Sequence, residues 1–231
     1  MHQTNVLEYL EKTVTRVPDK LAFSNGEEGL TFAQVYHDSR AIGSYLASKG
    51  YYGEPVVVFM RKHPKCISGF YGCMYGGCYY VPIDEEMPRF RIELIFQNLN
   101  PRVMLCDSAT AEIAKTFDFH GETMIYDDVA ASPIDEAALA HIRDIQLDTD
   151  PIYIVFTSGS TGVPKGVVAF HRRVIDYIEN LHFDEDDIEY LRSRNQFSEE
   201  FLEYLKSFRF TGDMWAIPEG TVVFPGEPLI T

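Results

Sequence analysis

The run Val56-Val-Val-Phe-Met60 constrains the fold more than any other stretch of this chain. Five consecutive apolar residues leave no polar side for water, so the segment predicts a strand covered by helices on both faces of its sheet. The flanking sequence supplies those helices. Thr4 is placed to cap a helix whose Val6, Leu7, Leu10, Val14 and Val17 share one apolar face, with Pro18 just beyond its end. Thr31 caps a second helix running to about Ser48, where Gly50 marks the stop. Pro64 suits the first turn of a third, which turns Ile67, Phe70, Tyr71 and Met74 toward the core. Strands at Tyr79 to Ile83, Val103 to Cys106 and Thr123 to Tyr126 alternate with helices near 88–98 and 109–116. The expected class is α/β, with a mainly parallel sheet and covering helices.

A second feature carries chemistry. In Tyr153-Ile-Val-Phe-Thr-Ser-Gly-Ser-Thr-Gly-Val-Pro-Lys-Gly-Val167, an apolar strand from Ile152 to Phe156 runs into residues that are all small, hydroxylated or glycine. Gly159 and Gly162 let the backbone turn tightly and approach a ligand. Thr157, Ser158, Ser160 and Thr161 bring hydroxyl and backbone donors for phosphate oxygens, and Lys165 adds a point charge. The spacing is not that of a Walker A loop, because Pro164 stands where the second glycine belongs and Gly166 follows the lysine. Val167, Val168 and Ala169 form another apolar run, so the segment reads as strand, loop, strand. A plain Ser/Gly surface turn shares this composition, and the ordered string through Pro164-Lys165-Gly166 separates the two.

That string resembles the phosphate-binding signature of the adenylate-forming superfamily, which includes acyl-CoA synthetases, luciferases and the amino-acid-activating domains of peptide synthetases. Leu30-Thr-Phe-Ala-Gln-Val-Tyr36 is similar to the family's early helix-start motif. Met74-Tyr-Gly-Gly-Cys-Tyr-Tyr-Val-Pro-Ile-Asp84 resembles the segment typical of the amino-acid-activating branch, D-alanine ligases included. The resemblance covers residues 1–173 and implies a partial adenylate-forming (AMP-binding) domain. It implies ATP with Mg²⁺ as cosubstrate, and Thr157, Ser158, Gly159, Ser160, Thr161, Gly162 and Lys165 as the ATP phosphate-binding set. No catalytic residue and no metal ligand is assigned.

Composition limits the partners. A net charge of −15 over 231 residues argues against nucleic acid and anionic membranes as partners, and the family resemblance is what implies a nucleotide. No apolar run reaches the roughly 18 residues of a membrane span, and the first residues lack a secretory pattern, so the expected location is cytoplasmic. Cys66, Cys73, Cys78 and Cys106 lack C-x-x-C spacing and read as buried, reduced thiols. His171, near the loop, reads as a helix-start or surface residue. Tyr71, Tyr75, Tyr79 and Tyr80 read as core packing with hydroxyls at the rim. Asp84-Glu-Glu86 reads as a solvated helix start whose carboxylates favour the N-terminal dipole.

The last fifty residues differ in character. Residues 182–231 hold eleven acidic and four basic side chains, a net of −7 against −8 for the 181 residues before them. The pattern predicts helices from Asp184 to Arg194 and, capped by Ser198, one with Phe201, Leu202, Leu205 and Phe208 on one face. Strands at Met214 to Ile217 and Thr221 to Phe224, joined at Pro218-Glu-Gly220, complete a small α+β tail. Four segments, Tyr190-Leu-Arg-Ser, Phe197 to Leu205, Phe208 to Asp213 and Pro218 to Leu229, together resemble the N-terminal region of nicotinate phosphoribosyltransferase. Residues 174–181 suit either family, which implies a fusion joined there.

The expected product is a truncated amino-acid-activating ligase that keeps the phosphate loop and forms no acyl-adenylate. Its resemblance lacks the later motifs for adenine, ribose and amino acid, and the C-terminal lysine. Two alternatives stand beside it. One is a phosphoribosyltransferase fragment of NAD biosynthesis; the other is a non-enzymatic α/β module that self-associates through surface exposed by truncation.

Overall fold

A computed structural model of the chain describes residues 4–157, 164–194 and 196–208. The chain divides between Arg172 and Arg173 into two compact units.

In the first unit, helix α1 (Leu7–Arg16) buries Leu7 and Leu10 as its apolar stripe requires, with Thr13 in place of Val14 as the third buried position. Thr4 is not its cap. Val6 holds that place without a side-chain bond, and the Glu8 carboxylate reaches back to accept the N–H groups of Thr4 and Asn5, each at 3.0 Å. A carboxylate there satisfies orphan donors and favours the positive end of the helix. Strands β1 (Leu21–Ser24) and β2 (Gly29–Thr31) make a small antiparallel hairpin that the sequence reading did not contain. Both are short and neither buries a face, so no periodicity announces them.

Helix α2 (Phe32–Ser48) begins as expected: Thr31 Oγ1 accepts from Gln34 N–H, and Gln34 Oε1 accepts from Thr31 N–H at 2.8 Å. Such a reciprocal cap contributes about 1 kcal/mol. Gly50, at φ +72°, ends the turn that follows. Strand β3 (Pro55–Phe59) is buried at every position. Helix α3 (Pro64–Tyr75) carries Pro64 in its first turn, with His63 as its cap.

The buried face of α3 differs from expectation. Ser68, Gly69, Gly72 and Cys73 are buried with Met74, whereas Ile67, Phe70 and Tyr71 are only half-buried. Close helix approach explains the preference for small residues. A Cβ on Gly72 would lie 2.5 Å from Ile42 Cγ2, and one on Gly43 would lie 2.5 Å from Tyr75 Cβ.

The remaining elements are β4 (Tyr79–Ile83), α4 (Arg89–Leu99), β5 (Val103–Cys106), α5 (Ser108–Ala114), β6 (Glu122–Ile125), α6 (Tyr126–Ala130), α7 (Glu136–Ile145), β7 (Pro151–Thr157) and β8 (Lys165–Phe170). Helices α6 and α7 were not foreseen, and Tyr126, expected to end a strand, opens α6. The six-stranded sheet runs β6-β5-β3-β4-β7-β8; its first five strands are parallel, and β8 is antiparallel to β7.

Alternation in the strands divides the core. Val57, Phe59, Val81, Ile83, Met104 and Cys106 face Ile92, Ile95 and Phe96 of α4 and Ala111 and Ala114 of α5. The opposite face carries Val58 and Leu105, close to Gly69 of α3. Both faces of β3 are therefore covered, as its unbroken apolar run demands. Burying each large side chain contributes roughly 1.5–3 kcal/mol. Tyr80 stacks on Phe70 at 4.2 Å and meets Tyr153 at 5.5 Å, so this aromatic cluster is packing. All four cysteines are free thiols; burial pushes Cys66 up to about 11, and Cys78 and Cys106 up to about 12.

The second unit holds most of α8 (His171–Glu179), with α9 (Glu185–Ser193) and α10 (Glu199–Ser207). Asp184 caps α9 in a capping box with Asp187, and Ser198 caps α10 through Phe201 N–H at 3.2 Å. Ile188, Leu202 and Leu205 form a small core with Phe183 and Leu191, while Phe201 stays 43% exposed. The expected strands at Met214 to Ile217 and Thr221 to Phe224, with their turn at Pro218 to Gly220, lie outside the described residues. Among the described residues, no helix is long and apolar enough to cross a membrane.

Candidate functional site

Parallel strands gather their carboxyl ends along one edge of a sheet, and in α/β folds ligands collect at that edge. Here it is formed by the ends of β3, β5 and β6, by Ile83 of β4 and by Thr157 of β7. The hairpin foreseen in the sequence is present: β7 and β8 pair with Ile154 opposite Val168, Phe156 opposite Gly166 and Thr157 opposite Lys165. Gly166 is needed for close packing across the pair, since a Cβ there would sit 2.8 Å from Ile154 Cγ2.

Of the seven expected phosphate-binding residues, Thr157 and Lys165 are described. They lie side by side at the open end of the hairpin, and Thr157 Oγ1 donates to the Lys165 carbonyl at 3.4 Å. Both side chains are exposed, and Pro164 beside them is buried. Ser158, Gly159, Ser160, Thr161 and Gly162 lie outside the described residues.

One residue beside this hairpin was missed. Arg91, in the first turn of α4, donates from Nη2 to the carbonyl oxygen of Phe156 at 3.3 Å, one residue before Thr157. The carboxylates expected at this helix start stand elsewhere. Asp84 and Glu86 share a turn ahead of Pro88, with Glu86 N–H donating to Asp84 Oδ1 at 2.9 Å, and the first turn of α4 has no acidic residue. Asp84 is instead 3.5 Å from Lys62 Nζ. Sequence spacing gives the acidic triplet and the arginines, and only the fold shows which of them turns toward β7.

At the same edge, Asp107 caps α5 and accepts Arg61 N–H at 3.1 Å and Arg61 Nε–H at 3.0 Å. Burial opposes its charge, yet bonds from Thr110, Arg61 and Ala109 outweigh that and hold its carboxyl below the usual range. Thr110 Oγ1 donates to the Phe59 carbonyl at 2.6 Å, tying α5 to the end of β3. These groups satisfy one another and serve to fix the edge.

His171, read as a helix-start or surface residue, does open α8 but is not on the surface. It is buried at the end of β8, where Nδ1 accepts Val6 N–H at 3.1 Å. Burial, reinforced by Arg143, lowers its pKa to about 4 against the pull of Asp150 and Asp148, so the ring is neutral at pH 7.

A cleft of about 720 Å³ opens at the opposite, amino edge of the sheet, among Tyr51, Phe96, Arg102, Phe119 and Glu122. Its charged groups are engaged: Glu122 accepts the hydroxyls of Tyr45 at 2.7 Å and Tyr51 at 3.1 Å, and Arg102 bonds Glu54 at 3.0 Å. The carboxyl edge, with Thr157 and Lys165 exposed, is the better candidate.

Residues 10–215 match the family described as AMP-binding enzyme. The chain belongs to that family. Gramicidin S synthase 2 of Brevibacillus brevis is 27% identical over 188 residues, covering 79% of this chain and 4% of that protein. The D-alanine–D-alanyl carrier protein ligase of Bacillus cytotoxicus is 26% identical over 235 residues, covering 96% of this chain and 44% of the ligase. A fatty acyl-adenylate ligase from L. pneumophila, solved with acyl adenylate and pyrophosphate, shares the fold with a TM-score of 0.61 at 24% identity, over 76% of this chain and 32% of that one. The chain thus spans less than half the length of these relatives. The AMP-binding match continues through residues 174–181 into the tail, and the comparisons give no support to a phosphoribosyltransferase-like segment.

The described residues suit the phosphate end of a nucleotide. A lysine and a hydroxyl stand together at the carboxyl edge, with a guanidinium bonded to β7 one residue before Thr157. Among the described residues no three His, Cys, Asp or Glu side chains converge on a metal position.

Proposed function

We propose that this chain is part of an ATP-dependent, amino-acid-activating ligase and that the β7–β8 hairpin holds the phosphates of ATP. The pairing of Thr157 with Lys165 at the carboxyl edge of the sheet carries this reading. Membership of the AMP-binding family and similarity to a peptide synthase and a D-alanine ligase support it. ATP would supply the electrophilic phosphorus. Lys165 would place a positive charge beside its oxygens, Thr157 a hydroxyl, and Ser158, Ser160 and Thr161 further donors. A titration of ATP binding against Lys165→Ala tests this assignment.

Activation of a carboxylate needs more than one cation, since the attacking and leaving groups must be aligned as charge develops. We infer that the 231-residue chain alone binds phosphate without forming an acyl-adenylate. ATP–pyrophosphate exchange across a panel of amino acids checks this, and robust exchange would overturn it. The fusion reading rests on the tail's motifs alone, and DNA reads that fail to cross codons 174–181 would mark it as an assembly product. Self-association is favoured by one observation: among the described residues β8 is an edge strand, with Val167 48% and Phe170 40% exposed. Sedimentation at several concentrations reads it out.

A further inference from the structure

We infer that β8 is a pairing edge for a second copy of this chain, the two β8 strands running antiparallel about a two-fold axis at Val168. This inference rests on the self-association reading and gives it a place and a register. Among the described residues the six-stranded sheet has two outer strands, β6 and β8, and they are finished differently. β6 has four residues, begins at Glu122 and has Thr123 alone exposed. β8 has six residues, four of them exposed, and Gly166 to Phe170 contains no charge and no proline. Outer strands are ordinarily kept from pairing by shortness, charge, proline or a bulge, and the register shift of this hairpin falls between Pro151 and Tyr153 of β7.

Val167, 48% exposed, and Phe170, 40% exposed, lie on opposite faces of the sheet, because side chains alternate along a strand. A helix laid on the sheet would cover one of them. A strand added at the edge runs past both and takes up the outward N–H and C=O groups of β8. The sequence favours a copy of β8 as that strand. Residues directly opposite in an antiparallel pair share a face, so a two-fold axis normal to the sheet must set one residue against its own copy. With Val168 at the centre, Val167 meets Ala169 of the second copy, and Gly166 meets Phe170 of the second copy. Each larger side chain then lies against a small one, the phenylalanine over a glycine that adds no bulk. Centred on Val167 instead, the ladder would set Pro164, which has no N–H, against Phe170. Centred on Ala169, it would keep only Val168 to Phe170 of each strand. Lys165 falls outside the ladder centred on Val168, so the Thr157–Lys165 end of the hairpin stays open.

The test is sedimentation velocity of the full chain over a wide range of concentrations, beside Val167→Lys, with urea midpoints in parallel. The natural chain is expected to pass from monomer to dimer, and to associate more strongly as salt screens the charge of −15 on each copy. Val167→Lys puts a charge on the exposed edge and is expected to weaken association at least about tenfold with an unchanged urea midpoint. Oxidative cross-linking reads the register. Val168→Cys places each thiol opposite its own copy at a Cα separation of about 4.5–5.5 Å, within disulfide range, and is expected to give a covalent dimer. In Val167→Cys the two thiol-bearing positions stand roughly 8 Å apart, and cross-linking is expected to stay at the level of the natural chain. A Val167→Lys dimer as strong as the natural one, association that salt weakens, or cross-linking through Val167→Cys and not Val168→Cys would overturn this pairing of β8 and leave self-association standing. A monomer at every concentration would remove both.

Discussion

Thr157 and Lys165 face each other across the last register pair of the β7–β8 hairpin, linked by the Thr157 hydroxyl and the Lys165 carbonyl at 3.4 Å. The bond is long and exposed, so Thr157→Val should change stability by less than about 1 kcal/mol in urea denaturation. Loss of a hydroxyl donor should still weaken tripolyphosphate binding by roughly threefold to tenfold. Unchanged binding would place Thr157 outside the site.

The contact between α2 and α3 depends on absent side chains. Gly72→Ala would set a Cβ 2.5 Å from Ile42 Cγ2 and 3.3 Å from the Ser39 carbonyl, so one helix must shift. The expected cost is about 1–3 kcal/mol, seen as a lower urea midpoint with little change in slope. Gly26→Ala makes a useful control, because a Cβ there meets nothing within 4 Å and the strain of its φ of +93° acts on an exposed turn alone.

Stability should fall in acid through His171. Its folded pKa is about 4, below the ordinary 6.5, so the folded state binds fewer protons than the unfolded chain between those values. The contribution of the neutral ring is present above pH 6.5 and lost as pH falls toward 4. The full loss is about 3 kcal/mol by linkage. His171→Asn cannot gain a proton and offers an acceptor to Val6 N–H. The difference between variant and natural chain should therefore vary with pH across this window. A parallel pair of curves would contradict the assignment.

Much of the sheet was legible because its strands are unbroken apolar runs. Tyr79–Ile83 and Val103–Cys106 have the bounds expected of them. Hydrophobic periodicity failed where burial is small: the β1–β2 hairpin, the five-residue α6, and α7, whose buried residues are Leu139 and Ile142 alone. It also misjudged α3, since close packing selects Gly69 and Gly72 over Phe70 and Tyr71, and a pattern of apolar size cannot show how near a neighbouring helix comes. Thr4 had the chemistry of a cap, but its hydroxyl donates to Glu8 and the Leu7 N–H goes to Asn5 Oδ1 at 2.9 Å. The hairpin was legible from composition and order. The Arg91 contact was not, because its acceptor is the Phe156 carbonyl 65 positions later in the chain. His171 read as a helix-start or surface residue; it does open α8, but its burial and its bond to Val6 N–H, 165 positions away in sequence, were not legible.

The most direct measurement is an ATP titration, by calorimetry at low salt, of the natural chain beside Lys165→Ala. Lys165 is exposed at the hairpin end, so its removal should leave the fold intact. The expected result is saturable binding by the natural chain and about tenfold to hundredfold weaker binding by the variant, as for loss of one charge-assisted phosphate contact. Equal affinity in the two proteins, or no binding by either, would contradict a phosphate-holding hairpin.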